Sequence, residues 1–166
     1  MNIIVSVDKN WAIGYKDELL FRISEDLRRF KELTIGKVVI MGDTTLKTMP
    51  KCLPLPGREN IILAEDEDFT VPGAQTVHSL PQLFSLLKDY DSENVFIIGG
   101  ASVYEQMLPH CSLAYITKVE AAAEADRFFP NLDILPNWQL KEKSSGGQHE
   151  GIDYYYCLYE NADMNP

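Results

Sequence analysis

Val95-Phe96-Ile97-Ile98-Gly99-Gly100 runs directly into Ala101-Ser102-Val103-Tyr104-Glu105: a short apolar run that ends in glycines and gives way to a helical pattern. An uninterrupted apolar run of this length predicts a strand buried on both faces, as in a parallel sheet covered by helices. The same form recurs outward along the chain. Val38-Val39-Ile40-Met41-Gly42 leads into Asp43-Thr44-Thr45, and Ile61-Ile62-Leu63-Ala64 and residues 2–7 are further apolar runs. Helical patterns separate them: residues 24–34, a stretch from near Thr44, residues 80–89 with Ser79 as N-cap, and residues 103–108, where Ser102 and Glu105 have the spacing of a capping box. After residue 112 the alternation stops. Residues 113–119, about 138–144 and 152–160 read as strands, with Ser144-Ser145-Gly146-Gly147-Gln148 as a hairpin end. The pattern predicts an α/β fold: one domain over residues 1–166 with a core of about 2–160. Its central sheet is mostly parallel, flanked by helices, with an antiparallel C-terminal hairpin. Such sheets bind ligands beyond the carboxyl ends of their strands.

Composition narrows the function classes. The 166 residues carry a net charge of −10, which argues against nucleic acid or an anionic membrane as partner. The charge is uneven. Residues 1–58 hold ten Lys and Arg against seven Asp and Glu, and residues 59–166 hold five against eighteen. An anionic ligand finds its partners mainly in the first third. Three widely spaced cysteines, Cys52, Cys111 and Cys157, form neither a disulfide framework nor a zinc pattern, and read as reduced thiols of a cytoplasmic protein. The N-terminus reads as a strand rather than a signal peptide, and no stretch approaches the ~18 apolar residues of a membrane span. His78, His110 and His149 are scattered, so no metal site is expected.

Three features carry chemistry. In Ile23-Ser24-Glu25-Asp26-Leu27-Arg28-Arg29-Phe30-Lys31-Glu32-Leu33, the apolar positions define one helix face, and Asp26 shares it. A carboxylate among apolar groups is costly unless paired, and burial raises its pKa. With Ser24 as N-cap, however, Asp26 is also well placed as an ordinary partner of the helix dipole. Second, the two strand-to-glycine-to-helix turns offer free backbone N–H groups to a ligand with two or more phosphates, such as a dinucleotide. Neither matches the G-x-G-x-x-G or G-x-x-x-x-G-K-[ST] fingerprint. Third, Leu53-Pro54-Leu55-Pro56-Gly57-Arg58 presents an Arg from a stiff loop, and an Arg fork suits a carboxylate.

Taken in order, these pieces resemble the dihydrofolate reductase family. The matching stretches are Trp11-Ala12-Ile13-Gly14, Ser24 to Lys31, Val39-Ile40-Met41-Gly42, Leu55-Pro56-Gly57-Arg58-Glu59-Asn60, Ile97-Ile98-Gly99-Gly100, Val103-Tyr104-Glu105-Gln106, Ala114-Tyr115-Ile116-Thr117 and Glu124 to Pro130. The resemblance implies hydride transfer from nicotinamide C4 to C6 of dihydrofolate, with protonation at N5. Asp26 would contact the pterin N3 and 2-amino groups and favour the N5 proton, helped by Thr117, with Leu19 and Phe21 nearby. Ile4, Ser6, Leu27, Phe30, Lys31, Leu55 and Ile98 would form the substrate pocket, and Arg58 would bind the glutamate α-carboxylate. The resemblance implies NADPH as cofactor. Ser6, Ala12, Ile13, Gly14, Asp17 and Glu18 would lie near its nicotinamide, with residues 12–18 a mobile loop. Gly42, Thr44, Thr45, Ile98, Gly99, Gly100, Ala101, Val103 and Tyr104 would hold the pyrophosphate side. Asp43, Leu63, Ala64, Glu65, His78 and Ser102 would lie toward the far end. Antifolate inhibitors and a monomeric state follow from the same resemblance.

The chain departs from the family pattern in two places. Leu20-Phe21 stands where Pro-Trp is usual. Asp43, Ala64-Glu65 and Ser102 stand where partners of a 2′-phosphate are common, which predicts weaker discrimination against NADH, with His78 or a nearby Lys as compensation. Two other readings remain at this level: a pterin-like or riboflavin-pathway reductase on the same fold, and a non-catalytic folate- or nucleotide-binding protein.

Overall fold

The computed structural model describes residues 1–164; residues 165 and 166 of the predicted domain lie outside it. In chain order the elements are β1 (Asn2–Val7), β2 (Ala12–Tyr15), β3 (Glu18–Leu19), α1 (Ser24–Thr34), β4 (Val38–Gly42), α2 (Asp43–Thr48), β5 (Glu59–Leu63), β6 (Ala74–Val77), α3 (Leu80–Leu87), β7 (Val95–Gly99), α4 (Ala101–Met107), β8 (Leu113–Val119), β9 (Arg127–Phe128), β10 (Trp138–His149) and β11 (Ile152–Asn161). Eight strands form one sheet in the order β10-β11-β8-β1-β7-β4-β5-β6. The pairs from β8 across to β6 are parallel, and β8–β11 and β11–β10 are antiparallel. All residues of β4 and β7 are buried, as their apolar runs require. The core divides between the two faces: Ile3, Ile40, Ile61 and Ile97 belong to one cluster, and Ile4, Val39, Met41, Ile62, Phe96 and Ile98 to the other, on which Phe30 and Leu33 of α1 pack.

β7 is inserted between β1 and β4. This crossover brings the carboxyl ends of β1, β7, β4 and β5 into one row, although they are far apart in sequence. A second, three-stranded sheet, β3-β2-β9, stands beside the first strand. Sequence patterning did not show it, because two-residue strands carry no periodicity.

Four local expectations need correction. Helix α1 begins at Ser24 itself, with Ile23 as N-cap and no side-chain cap, so Asp26 is one position deeper than predicted. Helix α4 starts at Ala101, and Gly100 is its N-cap. Ser102 therefore cannot close a capping box, and its hydroxyl accepts instead from Gln106 Nε2 at 2.9 Å. Helix α3 ends at Leu87, while Ser79 caps it as predicted, accepting from the Gln82 N–H. The hairpin end lies at Glu150-Gly151, both at positive φ, which suits a two-residue turn between right-twisted strands. Residues Ser144 to Gln148 continue β10, with a register shift after Ser145. Gly146 is there because a Cβ would collide with the Tyr154 ring, 2.3 Å away. It marks a close approach in a strand, not a turn.

Candidate active site

Asp26 sits in the first turn of α1, and Thr117 of β8 donates its hydroxyl to Asp26 Oδ1 at 2.6 Å. Thr117 is buried, paired with Ser6 on β1 and with Tyr156 on β11. Burial raises the Asp26 carboxyl above its ordinary range, and Thr117 and the Arg29 charge draw it part of the way back. A narrow cavity of about 40 Å³ reaches the carboxyl. It brings together the predicted Ser6, Ile13, Leu19, Phe21 and Leu27 with Leu20, noted above as a departure from the family pattern, and Ile23 of the apolar helix face. Leu19 is 55% exposed and Leu27 45%; their apolar surface lines a cleft instead of filling a core.

Phe30 and Leu55 pack with Ile4 and Ile98 in one cluster, while Lys31 is exposed. At the end of α1, Arg58 Nη1 donates to Thr34 Oγ1 at 3.3 Å, and its Nε and Nη2 donate to the Pro56 carbonyl at 3.0 and 2.8 Å. Eight residues at a rise of about 1.5 Å set Asp26 and Thr34 roughly 12 Å apart on one helix. The buried Asn60 fixes the Arg loop. It accepts from Leu55 N–H at 2.9 Å and donates to the carbonyls of Leu55 and Arg58 at 2.9 and 3.0 Å. No sequence rule singled Asn60 out, because its role depends on a loop folding back over a strand.

The two glycine turns stand side by side, since β4 and β7 are neighbours and Met41 is paired with Gly99. A Cβ on Gly99 or Gly100 would lie 3.3 or 3.1 Å from Thr45 Oγ1, and Gly99 has a φ of 131°. Only glycine supplies both that backbone and that room. Val103 supports the turn from within, where a Cβ on Gly42 would lie 3.3 Å from it. Tyr104 is buried, and its hydroxyl donates to the Ile4 carbonyl at 2.8 Å. Ala101 is half-buried, and Ser102 and Thr44 are exposed. Toward the outer strands, Asp43 pairs with Lys47 at 3.5 Å across one turn of α2. Leu63 ends β5, the Ala64 carbonyl meets His78 Nδ1 at 2.9 Å, and Glu65 is exposed.

Residues 12–18, expected as a mobile loop, have the form of a hairpin: Ala12, Ile13 and Gly14 lie on β2, Asp17 in the turn and Glu18 on β3. Two acids anchor it. The buried Asp8 accepts from the N–H groups of Asn10, Ala12 and Ala123 at 2.8, 2.9 and 3.0 Å. Asp126 accepts from Lys16 N–H at 3.1 Å and donates its own N–H to the Gly14 carbonyl. An acid at the end of an apolar strand, two residues before Asn10, is the available sequence signal for Asp8.

A carboxyl in an apolar cleft at the carboxyl ends of parallel strands, beside paired glycine turns, defines an α/β enzyme acting on a small ligand. The dihydrofolate reductase family profile matches residues 1–161. The dihydrofolate reductase of Staphylococcus haemolyticus is 33% identical over 162 residues, covering 96% of this chain and 95% of that one. That of Neisseria gonorrhoeae is 35% identical over 160 residues, covering 96% of each. A solved structure, dihydrofolate reductase from Enterococcus faecalis complexed with NADP(H) and RAB-propyl, superposes with a TM-score of 0.87 at 29% identity. It covers 98% of this chain and 96% of its own. The chain belongs to the dihydrofolate reductase family.

Proposed function

We propose that this chain reduces 7,8-dihydrofolate to 5,6,7,8-tetrahydrofolate, with NADPH as reductant. The observation that carries the reading is the Asp26–Thr117 pair at 2.6 Å in an apolar cleft, in a chain of this family. When bound, NADPH supplies a hydride to C6 of the pterin. The residues present fit such a group: Gly99, Gly100 and Thr45 leave a cradle that a Cβ would fill.

Asp26 accepts hydrogen bonds from the pterin N3 and 2-amino groups and orients the ring. The negative charge of its carboxylate favours uptake of a proton from solvent at the ligand's N5, where the reduced product needs it. Thr117 holds the carboxyl's geometry. Ile4, Phe30, Leu55 and Ile98 exclude water from the ring and its benzoyl extension. Arg58, roughly 12 Å along α1 from Asp26, takes the glutamate α-carboxylate, a charge-assisted contact of about 1.5–3 kcal/mol. The hairpin carrying Ala12, Ile13, Gly14 and Glu18 covers the nicotinamide end.

The far end of the cofactor is where this chain differs. Lys47 is paired with Asp43 and Glu65 stands at the end of β5, so the reading includes relaxed discrimination between NADPH and NADH. Free thiols suit a cytoplasmic enzyme, and the family resemblance suggests a monomer. Among the described residues no helix is long and apolar enough to cross a membrane. Loss of absorbance at 340 nm with dihydrofolate and NADPH tests the function directly. Tight binding of both compounds without turnover would leave only a binding protein.

A further inference from the structure

Near Asp26 lies a cation that the mechanism above does not use. Arg29 is one helical turn beyond Asp26, on the same face of α1. Its guanidinium stacks over the Tyr156 ring, 4.0 Å from the centroid, and lies 5.9 Å from the Tyr115 ring. Tyr156 is the cross-strand partner of Thr117, and Tyr115 lies two residues before it on β8. Both rings therefore share the sheet face from which Thr117 reaches Asp26. Carboxyl and guanidinium stand over the same two rungs of one ladder. Arg28, the adjacent residue, is spent on Glu25 at the surface. Arg29 is held by rings instead, and a guanidinium so held keeps its full charge.

After burial and the Thr117 hydrogen bond, Arg29 is the charged group whose field acts on Asp26. From β8 Asp26 meets Thr117; from β1, Ser6; from the segment before α1, the apolar Leu20, Phe21 and Ile23. From β11 it meets Tyr156, with Tyr154 beyond. Burial, Tyr154 and Asp26 push the Tyr156 hydroxyl up to about 12, so it stays neutral at any working pH. Glu25 and Arg28 neutralise each other on the exposed side of α1.

We infer that Arg29 is a positioning residue of the reductase site: clamped on Tyr156, it holds a fixed positive charge beside the Asp26–Thr117 pair and favours the carboxylate form that the site uses. The inference rests on the reading of Asp26 as the acid of the site. Removing the charge favours the protonated form of both Asp26 and the bound pterin N5, so both move in the same direction.

Wild type, Arg29→Gln and Arg29→Lys test it. Carbon-13 NMR follows the Asp26 carboxyl in each free protein, with Asp26→Asn assigning the signal, and single-turnover hydride transfer is followed against pH. In Arg29→Gln the Asp26 midpoint should rise by about half a unit to one unit. The pH at which hydride transfer falls off should rise with it, while KM for dihydrofolate holds. Arg29→Lys should titrate like wild type. An unshifted midpoint in Arg29→Gln overturns the inference. So does an equal shift in Arg29→Lys, which would assign the effect to lost ring packing. A shifted NMR midpoint in a protein that fails to reduce dihydrofolate would support the coupling and refute the substrate.

Discussion

At the scale of the residue, Asp26 sets activity against stability. Burial is the largest influence on it, and puts its folded-state pKa above that of an unfolded aspartate, against the smaller pulls of Thr117 and Arg29. With the folded value raised, stability is fully present below the unfolded pKa and is lost as pH rises through the folded one. At neutral pH the ionised carboxylate therefore costs stability, as groups kept for chemistry often do. Asp26→Asn is expected to lower dihydrofolate turnover by roughly 10²–10⁴-fold. The same variant should melt higher than wild type at pH 7, by about 2–4 °C for each kcal/mol recovered, with the gap closing near pH 3. Thermal melts at the two pH values check the sign, and a less stable variant at pH 7 would contradict the desolvation argument.

At the scale of the element, the loop between α2 and β5 is as much a part of the site as α1. Arg58 is aimed by Asn60, whose amide closes three bonds to the loop backbone. Asn60→Ala leaves those buried groups without partners, at about 1–3 kcal/mol for each unsatisfied group. Urea unfolding should show a loss of roughly 2–4 kcal/mol. Steady-state kinetics should show KM for dihydrofolate rising more than kcat falls, since the proposed role of the Arg loop is in binding. Arg58→Leu should reproduce the KM effect with little loss of stability. If both variants lower kcat and leave KM alone, Arg58 is not the carboxylate's partner. The element scale also explains the misplaced caps. Helices α1 and α4 begin where a strand or loop delivers the chain, at Ile23 and Gly100, and both override the local preference for a serine cap.

At the scale of the whole molecule, residues 59–166 carry most of the negative charge. On the proposed reading the far end of the cofactor also meets Asp43 and Glu65, and Lys47 is already engaged by Asp43. An acid about 4 Å from a phosphate costs ~1–4 kcal/mol, depending on exposure. The ratio of kcat/KM for NADPH over NADH should therefore be modest and should rise with salt, which screens the acids. A preference for NADPH of about a thousandfold, or ~4 kcal/mol, would overturn this expectation. What the sequence determined by itself was the layered α/β architecture, because apolar runs ending in glycine can be satisfied only by strands covered on both faces. It also pointed to a candidate acid, Asp26, and a candidate carboxylate-binding Arg, Arg58, through the family's ordered motifs, because local spacing alone left each an ordinary alternative. Only the tertiary structure decided that β7 enters between β1 and β4, that residues 12–18 form a hairpin, and which partners hold Asn60, Asp8 and Arg29. Each of those depends on contacts between segments far apart in the chain, such as Tyr156 with Arg29, and no local period or spacing encodes which distant partner will close them.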